Sequence, residues 1–303
     1  MRDLIIIGAG PAGLAAAIYG KRAGLDVLVI DESGIGGGQV VTTYEVDNYP
    51  GLPNINGMDL GEAFKNHAVS CGAEFVEAAV NVISKADGVF TLDTTEGEMQ
   101  AKTVIAATGA KHRMLAVPGE EELQGMGVSY CATCDGAFFK NRVVAVVGGG
   151  DVALEDALFL ARGCSKVYLI HRRDSFRGAQ ILVDKVKATE NIEILYDSKI
   201  VEIVGEDSVE EIVVASTKDE TSSRIAVNGV FIAVGMSPVS ELFEGFVDMK
   251  DGYIVADENG VTSLEGFYVA GDLRTKKLRQ IITAASDGAN AATSASEYLN
   301  KLS

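Results

Sequence analysis

The segment SYCATCDG, residues 129–136, places two of the chain's four cysteines, Cys131 and Cys134, three positions apart. Two sulfurs at this spacing suit reversible thiol–disulfide exchange, which requires neighbouring thiols and one accessible thiolate. Asp135 follows directly, so a carboxyl group is available to move protons as the thiols gain and lose them. The pattern therefore predicts a catalytic redox centre formed by Cys131, Cys134 and Asp135.

Two other roles for such a cysteine pair remain open at this point. A structural zinc site needs four ligands, and the best completion would add His67 and Cys71, four positions apart on a predicted helix. A purely structural disulfide would stabilise the fold little, because the loop that it closes is very short. Cys71 and Cys164 fit better as small apolar residues, so the redox couple is favoured and no metal is predicted.

Two longer segments of similar design flank the cysteine pair. Residues 4–31 and residues 144–171 each contain a β-branched strand, a glycine turn, a helix rich in alanine and leucine, and a second apolar strand. The second strand ends at Asp31 in one copy and at His171 in the other, at the same distance from the first glycine. This is the pattern of a dinucleotide-binding βαβ unit, so the sequence predicts an α/β fold with two Rossmann-like units.

The glycines of each turn have separate tasks in such a unit. Gly8 and Gly148 allow a sharp turn out of the strand, and Gly10 and Gly150 let the backbone approach a pyrophosphate. Gly13 allows close packing of the helix on the sheet. The pyrophosphate would lie at the helix N-terminus, where free N–H groups and the helix dipole favour an anion.

The two units end differently, and the difference separates their ligands. Asp31 can accept hydrogen bonds from the ribose of FAD or NAD. The second unit ends in HRRDSFR, which groups Arg172, Arg173 and Arg177 where an acid would otherwise stand. Guanidinium groups there match a 2′-phosphate and favour NADP over NAD.

The composition narrows the class of protein. The formal net charge of −17 and the pI near 4.6 argue against nucleic-acid binding, which needs clustered Lys and Arg. No segment approaches the roughly 18 apolar residues that span a bilayer. The N-terminus shows neither a long apolar stretch nor a small-residue cleavage site. We therefore expect a cytoplasmic protein that binds neither nucleic acid nor membranes.

The order of the remaining patterns predicts how the domains follow one another. We expect a helix over residues 62–70 that ends at Gly72, then antiparallel strands over residues 74–105. The stretch LAVPGEEELQG, residues 115–125, has the composition of a crossing between domains. Residues 266–299 predict a strand, a glycine turn and a long helix of small residues. This C-terminal segment would return to complete the first domain around an inserted second one.

Several stretches, in order along essentially the whole chain, resemble the low-molecular-weight, bacterial-type thioredoxin reductases, which are class-II pyridine nucleotide-disulfide oxidoreductases. The position of CATCDG makes the resemblance highly specific. The stretches are GAGPAGLAAAIY, GGQVVTTYEVDNYPG, ATGAKHR, PGEEE, GVSYCATCDGAFF, VAVVGGGD, YLIHRRDSFR and VAGDLRTKKLRQIITAASDGANAA.

The resemblance implies two cofactors and two Rossmann-like, three-layer ββα domains, with the NADPH domain inserted into the FAD domain. The FAD domain would consist of residues 1–115 and 244–303, and residues 116–243 would bind NADPH and carry the cysteine pair. The implied FAD contacts are Gly8, Gly10, Pro11, Ala12, Gly13, Asp31, Glu32, Gly38, Gln39, Asn48, Thr108, Gly109, Gly271, Asp272, Arg279, Gln280 and Ile281. The implied NADPH contacts are Gly149, Gly150, Asp151, Val152, His171, Arg172, Arg173 and Arg177.

The resemblance also implies a mechanism and an assembly. Electrons would pass from NADPH through FAD to the Cys131–Cys134 disulfide and then to oxidised thioredoxin. By the family pattern, Cys134 meets the flavin, Cys131 attacks the thioredoxin disulfide, and Asp135 is the general acid. Family members are homodimers whose NADPH domain rotates between two poses, which would make Pro118 and Pro238 candidate hinges.

Two departures from the family pattern leave the electron donor open. Val152 replaces the serine of GGGDSA, and Gly178 replaces the alanine of FRA. Losing a hydroxyl at the pyrophosphate turn would weaken NADPH binding by about 1 kcal/mol, the net value of one hydrogen bond. The arginine cluster is intact, so NADPH is the expected reductant, with ferredoxin as the alternative.

Three other functions remain as alternatives. The reductase core of an alkyl hydroperoxide reductase system shares this body, but it normally carries an N-terminal thioredoxin-like module, and here a nucleotide-binding strand is predicted from residue 4. Ferredoxin-NADP reductases of similar shape lack the cysteine pair. A non-catalytic NADP-sensing or zinc-stapled binding protein is the alternative from a different class.

Overall fold

The fold is that of a computed structural model, which describes residues 1–43, 46, 48–219 and 221–302. Three residues of the quoted stretch GGQVVTTYEVDNYPG, namely Tyr44, Glu45 and Asp47, lie outside the described residues. The α-helices are α1 (Pro11–Arg22), α2 (Gly57–Ser70), α3 (Ala132–Asp135), α4 (Asp151–Ala161), α5 (Gln180–Ala188) and α6 (Ile281–Leu302). The strands are β1 (Arg2–Ile7), β2 (Val27–Asp31), β3 (Glu74–Glu77), β4 (Val80–Ala86), β5 (Val89–Thr94), β6 (Gly97–Ala106), β7 (Ala110–His112), β8 (Val128–Ser129), β9 (Val143–Gly148), β10 (Lys166–Ile170), β11 (Ile192–Leu195), β12 (Ser198–Val204), β13 (Glu211–Ser216), β14 (Ser222–Ala226), β15 (Gly229–Ala233), β16 (Met236–Pro238), β17 (Met249–Lys250), β18 (Tyr253–Ile254) and β19 (Phe267–Val269).

The first of two compact units consists of Met1–Lys111 and Ser237–Ser303. Its sheet has the order β3-β2-β1-β6-β5-β4, and β19 also pairs with β6. β1 lies between β2 and β6 and is parallel to both. A parallel strand in this position is covered on both faces, which is why its sequence is a continuous apolar run rather than an alternating one.

Helices α1 and α6 pack together against one face of this sheet. Their contact surface is made of small residues, among them Ala12 and Ala16 of α1 and Ala291 of α6. A Cβ added to Gly288 of α6 would lie only 1.9 Å from the carbonyl oxygen of Ala12, so the two backbones approach as closely as glycine allows. This contact explains the small-residue composition of the predicted C-terminal helix.

The second unit consists of His112–Met236. Its parallel sheet has the order β11-β10-β9-β15-β8, and a separate antiparallel sheet has the order β12-β13-β14. Alternating residues of β9 face the two sides: Ala145 and Val147 pack with the antiparallel sheet, and Val144 and Val146 pack with α4. The unit is therefore a three-layer ββα arrangement, as predicted.

The structure corrects three details of the sequence interpretation. Helix α2 starts at Gly57 rather than at residue 62, because the side chain of Asn56 caps it by accepting a hydrogen bond from the N–H of Met58 at 2.8 Å. β3 is parallel to β2 rather than antiparallel, whereas β4, β5 and β6 are antiparallel as predicted. Residues 115–125 lie inside the second unit rather than at a crossing.

The chain instead leaves the first unit at β7 and returns at β16. Pro238 lies in this returning strand, but Pro118 does not lie at a crossing. The Pro118 carbonyl accepts a hydrogen bond from the N–H of Ile203 in β12, at 2.9 Å, which fixes it within the second unit. The predicted α/β fold with two Rossmann-like units is confirmed. Among the helices of the described residues, none is long and apolar enough to cross a membrane.

Candidate functional site

The two predicted redox cysteines are joined in a disulfide at the start of α3. Their Cα atoms are 5.3 Å apart, and the N–H of Cys134 donates to the carbonyl of Cys131 at 3.2 Å, so one turn of chain holds both sulfurs. The hydroxyl Oγ1 of Thr133 lies 3.5 Å from Sγ of Cys131. Because a disulfide sulfur carries no hydrogen, the hydroxyl is the donor in this contact. The Cys131 sulfur therefore has a hydroxyl hydrogen-bond donor beside it.

The carboxyl group of Asp135, one residue after the second cysteine, is held by the neighbouring strand. Ser129 of β8 donates a hydrogen bond from Oγ to Oδ2 of Asp135 at 2.6 Å. The same Oγ accepts the backbone N–H of Cys131 at 3.1 Å. Burial raises the pKa of Asp135, and the hydrogen bond from Ser129 opposes part of that rise. A carboxyl with a raised pKa keeps its proton more readily, as a general acid requires.

Tyr130 connects residues 131–135, here called the redox turn, to a second carboxylate, which is buried. Its hydroxyl donates to Oε1 of Glu120 at 2.9 Å, and its ring stacks on His112 with ring centroids 5.1 Å apart. Glu120 is fully buried and also accepts the backbone N–H groups of residues 115–117 at 2.7–3.4 Å. Burial lowers the pKa of His112, which favours its neutral form. The residue before the first cysteine is therefore anchored at both its ring and its hydroxyl.

In the first glycine turn, packing within the protein requires two of the three glycines and leaves room for a side chain at the third. Gly8 has a φ of +104°, and a Cβ there would lie 2.5 Å from the carbonyl oxygen that follows β6. A Cβ at Gly13 would lie 1.9 Å from the carbonyl oxygen of Gly8. At Gly10 the nearest atom to such a Cβ is 3.9 Å away, so packing within the protein does not require this glycine. The open space lies at the N-terminus of α1, where a phosphate group would be favoured.

Asp31 ends β2 beside this turn, as predicted. Its Oδ2 accepts the backbone N–H of Ala9 at 2.7 Å, and its Oδ1 accepts hydrogen bonds from the N–H and hydroxyl of Ser33 at 3.1 and 2.6 Å. A carboxylate has about four lone-pair positions, so these three contacts leave it able to accept one more hydrogen bond. This geometry is compatible with the predicted ribose contact.

Asp272 carries an unsatisfied acceptor in the first unit. Among the described residues, its Oδ1 is the buried side-chain oxygen or nitrogen that has no hydrogen-bond partner. Burial raises the pKa of Asp272. Arg279 lies beside it, with Nε 3.5 Å from the Asp272 carbonyl oxygen and its guanidinium 4.2 Å from the ring centroid of Tyr253. A buried acceptor without a donor calls for one from outside the chain, such as a ligand hydroxyl.

The other predicted FAD residues lie in the same unit. Nδ2 of Asn48 donates to Oε1 of Gln280 at 2.9 Å, which places Asn48 beside the start of α6. Nε2 of Gln39 donates to the carbonyl of Ala110. Oγ1 of Thr108 donates to a backbone carbonyl at 2.6 Å, so its proton is already used within the protein. The remaining ones, at helix starts, turns and the end of β2, are Pro11, Ala12, Glu32, Gly38, Gly109, Gly271 and Ile281.

A cavity of about 190 Å³ beside Asp31 contains residues that sequence reasoning missed. Lys65 comes from α2, and Phe75 and Glu77 come from β3. Lys65 donates to the carbonyl of Gly34, and its Nζ lies 5.8 Å from the ring centroid of Phe75. No local motif marks these residues. The parallel register that pairs Asp31 with Glu77 brings them here, and predicting β3 as parallel would have found them. The cavity is lined by Ala9, Asp31, Gly34, Gly36, Lys65, Phe75, Val76 and Glu77.

Sequence reasoning also missed a buried ion cluster next to Asp272. Asp287 of α6 accepts hydrogen bonds from the N–H of Gly271 at 3.1 Å, from Nε of Arg274 at 2.9 Å and from Nζ of Lys276 at 2.7 Å. Burial alone would raise the pKa of Asp287, but the hydrogen bonds from Arg274 and Lys276 hold it below its ordinary value. The cluster fixes the loop that carries Asp272.

In the second glycine turn, too, packing requires the first glycine and leaves open space at the next glycine of the motif. A Cβ at Gly148 would lie 2.5 Å from Cβ of Ala153, so strand and helix pack closely there. At Gly150 a Cβ would meet no atom within 4 Å, which leaves open space at the N-terminus of α4. The two copies of the predicted repeat therefore have the same local geometry.

The segment after β10 brings the predicted arginine cluster to this turn. The N–H of Arg177 donates to the carbonyl of Gly149 at 2.8 Å. His171 is buried, with its ring packed on Gly149 and its Nε2 donating to a backbone carbonyl at 3.0 Å, and burial lowers its pKa. In this structure His171 thus packs the turn, while Arg172 and Arg173 are exposed and available to a ligand.

The two residues that depart from the family pattern differ in their surroundings: Val152 is exposed, whereas Gly178 lies against other side chains. Val152 lies in the first turn of α4 and is 62% exposed, so its side chain faces solvent rather than the core. At Gly178 a Cβ would lie 2.5 Å from Cδ1 of Leu154 and 2.9 Å from Oδ1 of Asp151, so a larger residue there would require these two side chains to shift. That same Oδ1 accepts the N–H of Ala179 at 2.6 Å. The segment therefore lies directly on the start of α4.

Comparison with known proteins decides the family. Residues 2–288 match the family described as pyridine nucleotide-disulphide oxidoreductase. The chain belongs to this family. A thioredoxin reductase from Listeria innocua is 46% identical over 303 residues, covering 99% of this chain and 94% of that protein. One from Treponema pallidum is 42% identical over 301 residues, covering 99% and 98%. The crystal structure of a thioredoxin reductase from Streptococcus pyogenes is 40% identical, with a TM-score of 0.94 and coverage of 99% of each chain.

The predicted functional residues are divided between the two units. The second unit holds the cysteine pair, the carboxyl group and the second glycine turn. The first unit holds the other turn and the unsatisfied Asp272. The redox disulfide fits the cysteine motif of this family of oxidoreductases. The individual cofactor contacts remain predictions.

Proposed function

We propose that the protein is an NADPH-dependent, FAD-containing disulfide reductase that passes electrons through Cys131 and Cys134 to the disulfide of a thioredoxin. The observation that carries the proposal is the Cys131–Cys134 disulfide beside the partly buried Asp135. Both lie in the unit that contains the second glycine turn. The relatives named thioredoxin reductase support the choice of thioredoxin as the protein substrate.

The residues of the first unit fit a flavin dinucleotide. Gly10 leaves space at a helix N-terminus for a pyrophosphate, and Oδ1 of Asp272 lacks a donor among the described residues. Asp31 retains capacity to accept a ribose hydroxyl. We therefore assign FAD to the first unit.

The residues of the second unit fit NADPH. Gly150 leaves the N-terminus of α4 open to a pyrophosphate, and Arg172 and Arg173 are exposed beside the turn. Guanidinium groups at this position favour a 2′-phosphate. When bound, the two cofactors would supply the electron pair that the disulfide needs.

The chain's own residues then manage protons and sulfurs. Two electrons and one proton convert the disulfide to a thiol and a thiolate, and Asp135 is placed to give or receive the proton. We assign Cys131 as the exchanging thiolate, in keeping with the family pattern, because the Thr133 hydroxyl can donate to it.

Exchange with the partner then follows in two balanced steps. The Cys131 thiolate attacks one sulfur of the thioredoxin disulfide, forms a mixed disulfide and expels the other thioredoxin sulfur as a thiolate. Cys134 gives its proton to the Asp135 carboxylate, and the resulting thiolate attacks the Cys131 sulfur, which restores the internal disulfide and releases the second thioredoxin thiolate. Two protons convert the released dithiolate to reduced thioredoxin.

The test is anaerobic titration of the purified holoenzyme with NADPH, with NADH and with reduced ferredoxin, followed by the flavin absorbance. We expect NADPH to bleach the flavin at far lower concentration than NADH. Bleaching by ferredoxin alone would replace NADPH with ferredoxin as the donor. A colourless protein with one zinc per chain would overturn the proposal in favour of a zinc-stapled binding protein.

The family resemblance also supports a homodimer located in the cytoplasm. The oligomeric state is open to simple measurement. Sedimentation velocity of the holoenzyme should give a species of twice the 31.8 kDa chain mass, and a monomer at micromolar concentration would contradict the dimer.

A further inference from the structure

Ser129 makes close polar contacts with two parts of the redox turn. Its Oγ donates to Oδ2 of Asp135 at 2.6 Å, accepts the N–H of Cys131 at 3.1 Å, and lies 3.3 Å from the Cys131 carbonyl oxygen. A serine hydroxyl has only one proton, and the shortest contact, to Asp135, takes it. We propose that Ser129 is a positioning residue that holds the Asp135 carboxyl and the Cys131 backbone in one arrangement.

The hydroxyl is well placed for this role because Ser129 is itself fixed. Its residue is 6% exposed and lies in β8, where it pairs with Phe231 of β15. A buried hydroxyl on a paired strand has little freedom to turn away from its partners, and leaving them unpaired would cost free energy. Asp135, by contrast, ends a helix of only four residues. The strand therefore supplies the rigidity that this short helix lacks.

The inference rests on the proposed function, since it matters only if Asp135 transfers the proton. Without the hydroxyl, the carboxyl loses the hydrogen bond from Ser129 and is free to rotate, and the N–H of Cys131 loses its acceptor. Proton transfer depends on placing the carboxyl within hydrogen-bond reach of the sulfur, so a rotated carboxyl slows the step. Binding of thioredoxin and of the cofactors is left unchanged.

The same hydrogen bond bears on the protonation of Asp135. A donor to the carboxylate favours its ionised form, so removing Ser129 should move the titration of Asp135 to higher pH. Helix α4 packs on α3, and its acidic side chains are Asp151, Glu155 and Asp156. These carboxyls and the two thiols are present with or without the serine, so a shift between the two proteins reports the hydroxyl.

A double-mutant cycle on the holoenzyme tests the inference. Ser129→Ala, Asp135→Asn and the double variant are compared in thioredoxin turnover with NADPH and in the rate of flavin reduction by NADPH. We expect Ser129→Ala to lower kcat about tenfold, less than the roughly 10²–10⁴-fold that general acid catalysis contributes, because the carboxyl itself remains. KM for thioredoxin and flavin reduction should change little. In the Asp135→Asn background the same change should have no further effect, since the serine acts through that carboxyl.

The outcomes separate this inference from the proposed function. Unchanged kcat in Ser129→Ala, or an equal loss in both backgrounds, would overturn the positioning role. Full activity of Asp135→Asn would instead contradict Asp135 as the proton donor. A second readout is the pH profile of turnover, in which the inflection that Asp135→Asn removes should move to higher pH in Ser129→Ala. Ser129→Thr keeps the hydroxyl and should restore activity. A folded but inactive Ser129→Thr would count against the role of the hydroxyl.

Discussion

The hydroxyl of Tyr130 donates a hydrogen bond to Oε1 of Glu120 at 2.9 Å, which ties the residue before the redox-active cysteines to a fully buried carboxylate. Glu120 also accepts three backbone N–H groups from residues 115–117, and this loop includes Ala116 in the left-handed conformation with φ of +57°. A non-glycine residue in that region is held there by its surroundings. Glu120 therefore orders both the loop and the residue that precedes the redox turn.

Glu120 should contribute strongly to stability. Glu120→Ala leaves three backbone N–H groups of residues 115–117 and the Tyr130 hydroxyl without this acceptor, and we expect it to cost about 3 kcal/mol. Tyr130→Phe removes only one hydrogen bond and should cost about 1 kcal/mol. The midpoint of thermal unfolding of the holoenzyme measures both. Glu121→Ala, at the exposed neighbouring position, is the matched control, and equal midpoints for Glu120→Ala and Glu121→Ala would refute the role.

Thr133 should select the exchanging sulfur. Its hydroxyl donates to Sγ of Cys131, so Thr133→Val should remove a donor that stabilises the Cys131 thiolate and slow its alkylation in the reduced enzyme. We expect a loss of about threefold to tenfold at neutral pH, which corresponds to one hydrogen bond. Mass spectrometry after brief iodoacetamide treatment identifies the modified cysteine. Thr133→Ser should behave as the wild type, and faster labelling of Cys134 than of Cys131 in the wild type would reverse the assignment.

Asp272 should matter for flavin retention. Its Oδ1 is buried without a donor among the described residues, so a ligand hydroxyl there would gain a hydrogen bond that nothing else supplies. Asp272→Ala should therefore raise the dissociation constant for FAD by about tenfold or more, the value of a hydrogen bond to a charged group. The ratio of FAD to protein after gel filtration measures it. Asp248→Asn, an exposed acid in the same unit, should retain its flavin. Equal retention in both variants would remove Asp272 from the flavin site.

Asp156 should make stability depend on pH. Burial and the neighbouring Glu155 raise the pKa of Asp156 from 3.8 to about 7. A carboxyl whose pKa is raised on folding favours the folded state below its unfolded pKa, and that contribution is lost as the pH rises through the folded value. The window therefore runs from about pH 4 to about pH 7.

Asp156→Asn removes this titration while keeping the side-chain shape. We expect it to raise the free energy of unfolding at pH 8, by about 1.4 kcal/mol for each pKa unit recovered, and so to raise the thermal midpoint there, and to change both little at pH 4. Thermal unfolding at the two pH values makes the comparison. Glu206→Gln, an exposed acid of the same unit, should show no such difference. A midpoint gain at pH 4 equal to that at pH 8 would show that packing, not ionisation, causes the effect.

Local patterns in the sequence predicted the parts of the fold that depend on local geometry. The glycine turns at Gly8 and Gly148 and the disulfide-forming pair are fixed by residues close together in the chain, so spacing alone identifies them. The small-residue helix was also predictable, because close packing limits side-chain size, although its partner α1 was not.

Features that depend on long-range packing escaped prediction. The charged run around Glu120 has the composition of an exposed crossing, yet Glu120 is buried because backbone N–H groups and Tyr130 satisfy it. Ser129 carries no motif that marks its contact with Asp135. The Asp287 cluster joins α6 to the loop before it, and no pattern distinguishes Asp287 from an ordinary exposed acid. In each case the partner is specified by folding rather than by spacing.

The central claim is that electrons reach thioredoxin through the Cys131–Cys134 pair. The most direct test is anaerobic stopped-flow mixing of NADPH and oxidised thioredoxin with the wild-type holoenzyme and with Cys134→Ser, scoring thioredoxin disulfides reduced per NADPH oxidised. We predict one disulfide for each NADPH in the wild type, and no thioredoxin turnover in Cys134→Ser even though NADPH still bleaches its flavin. Sustained reduction of thioredoxin by Cys134→Ser would contradict the account.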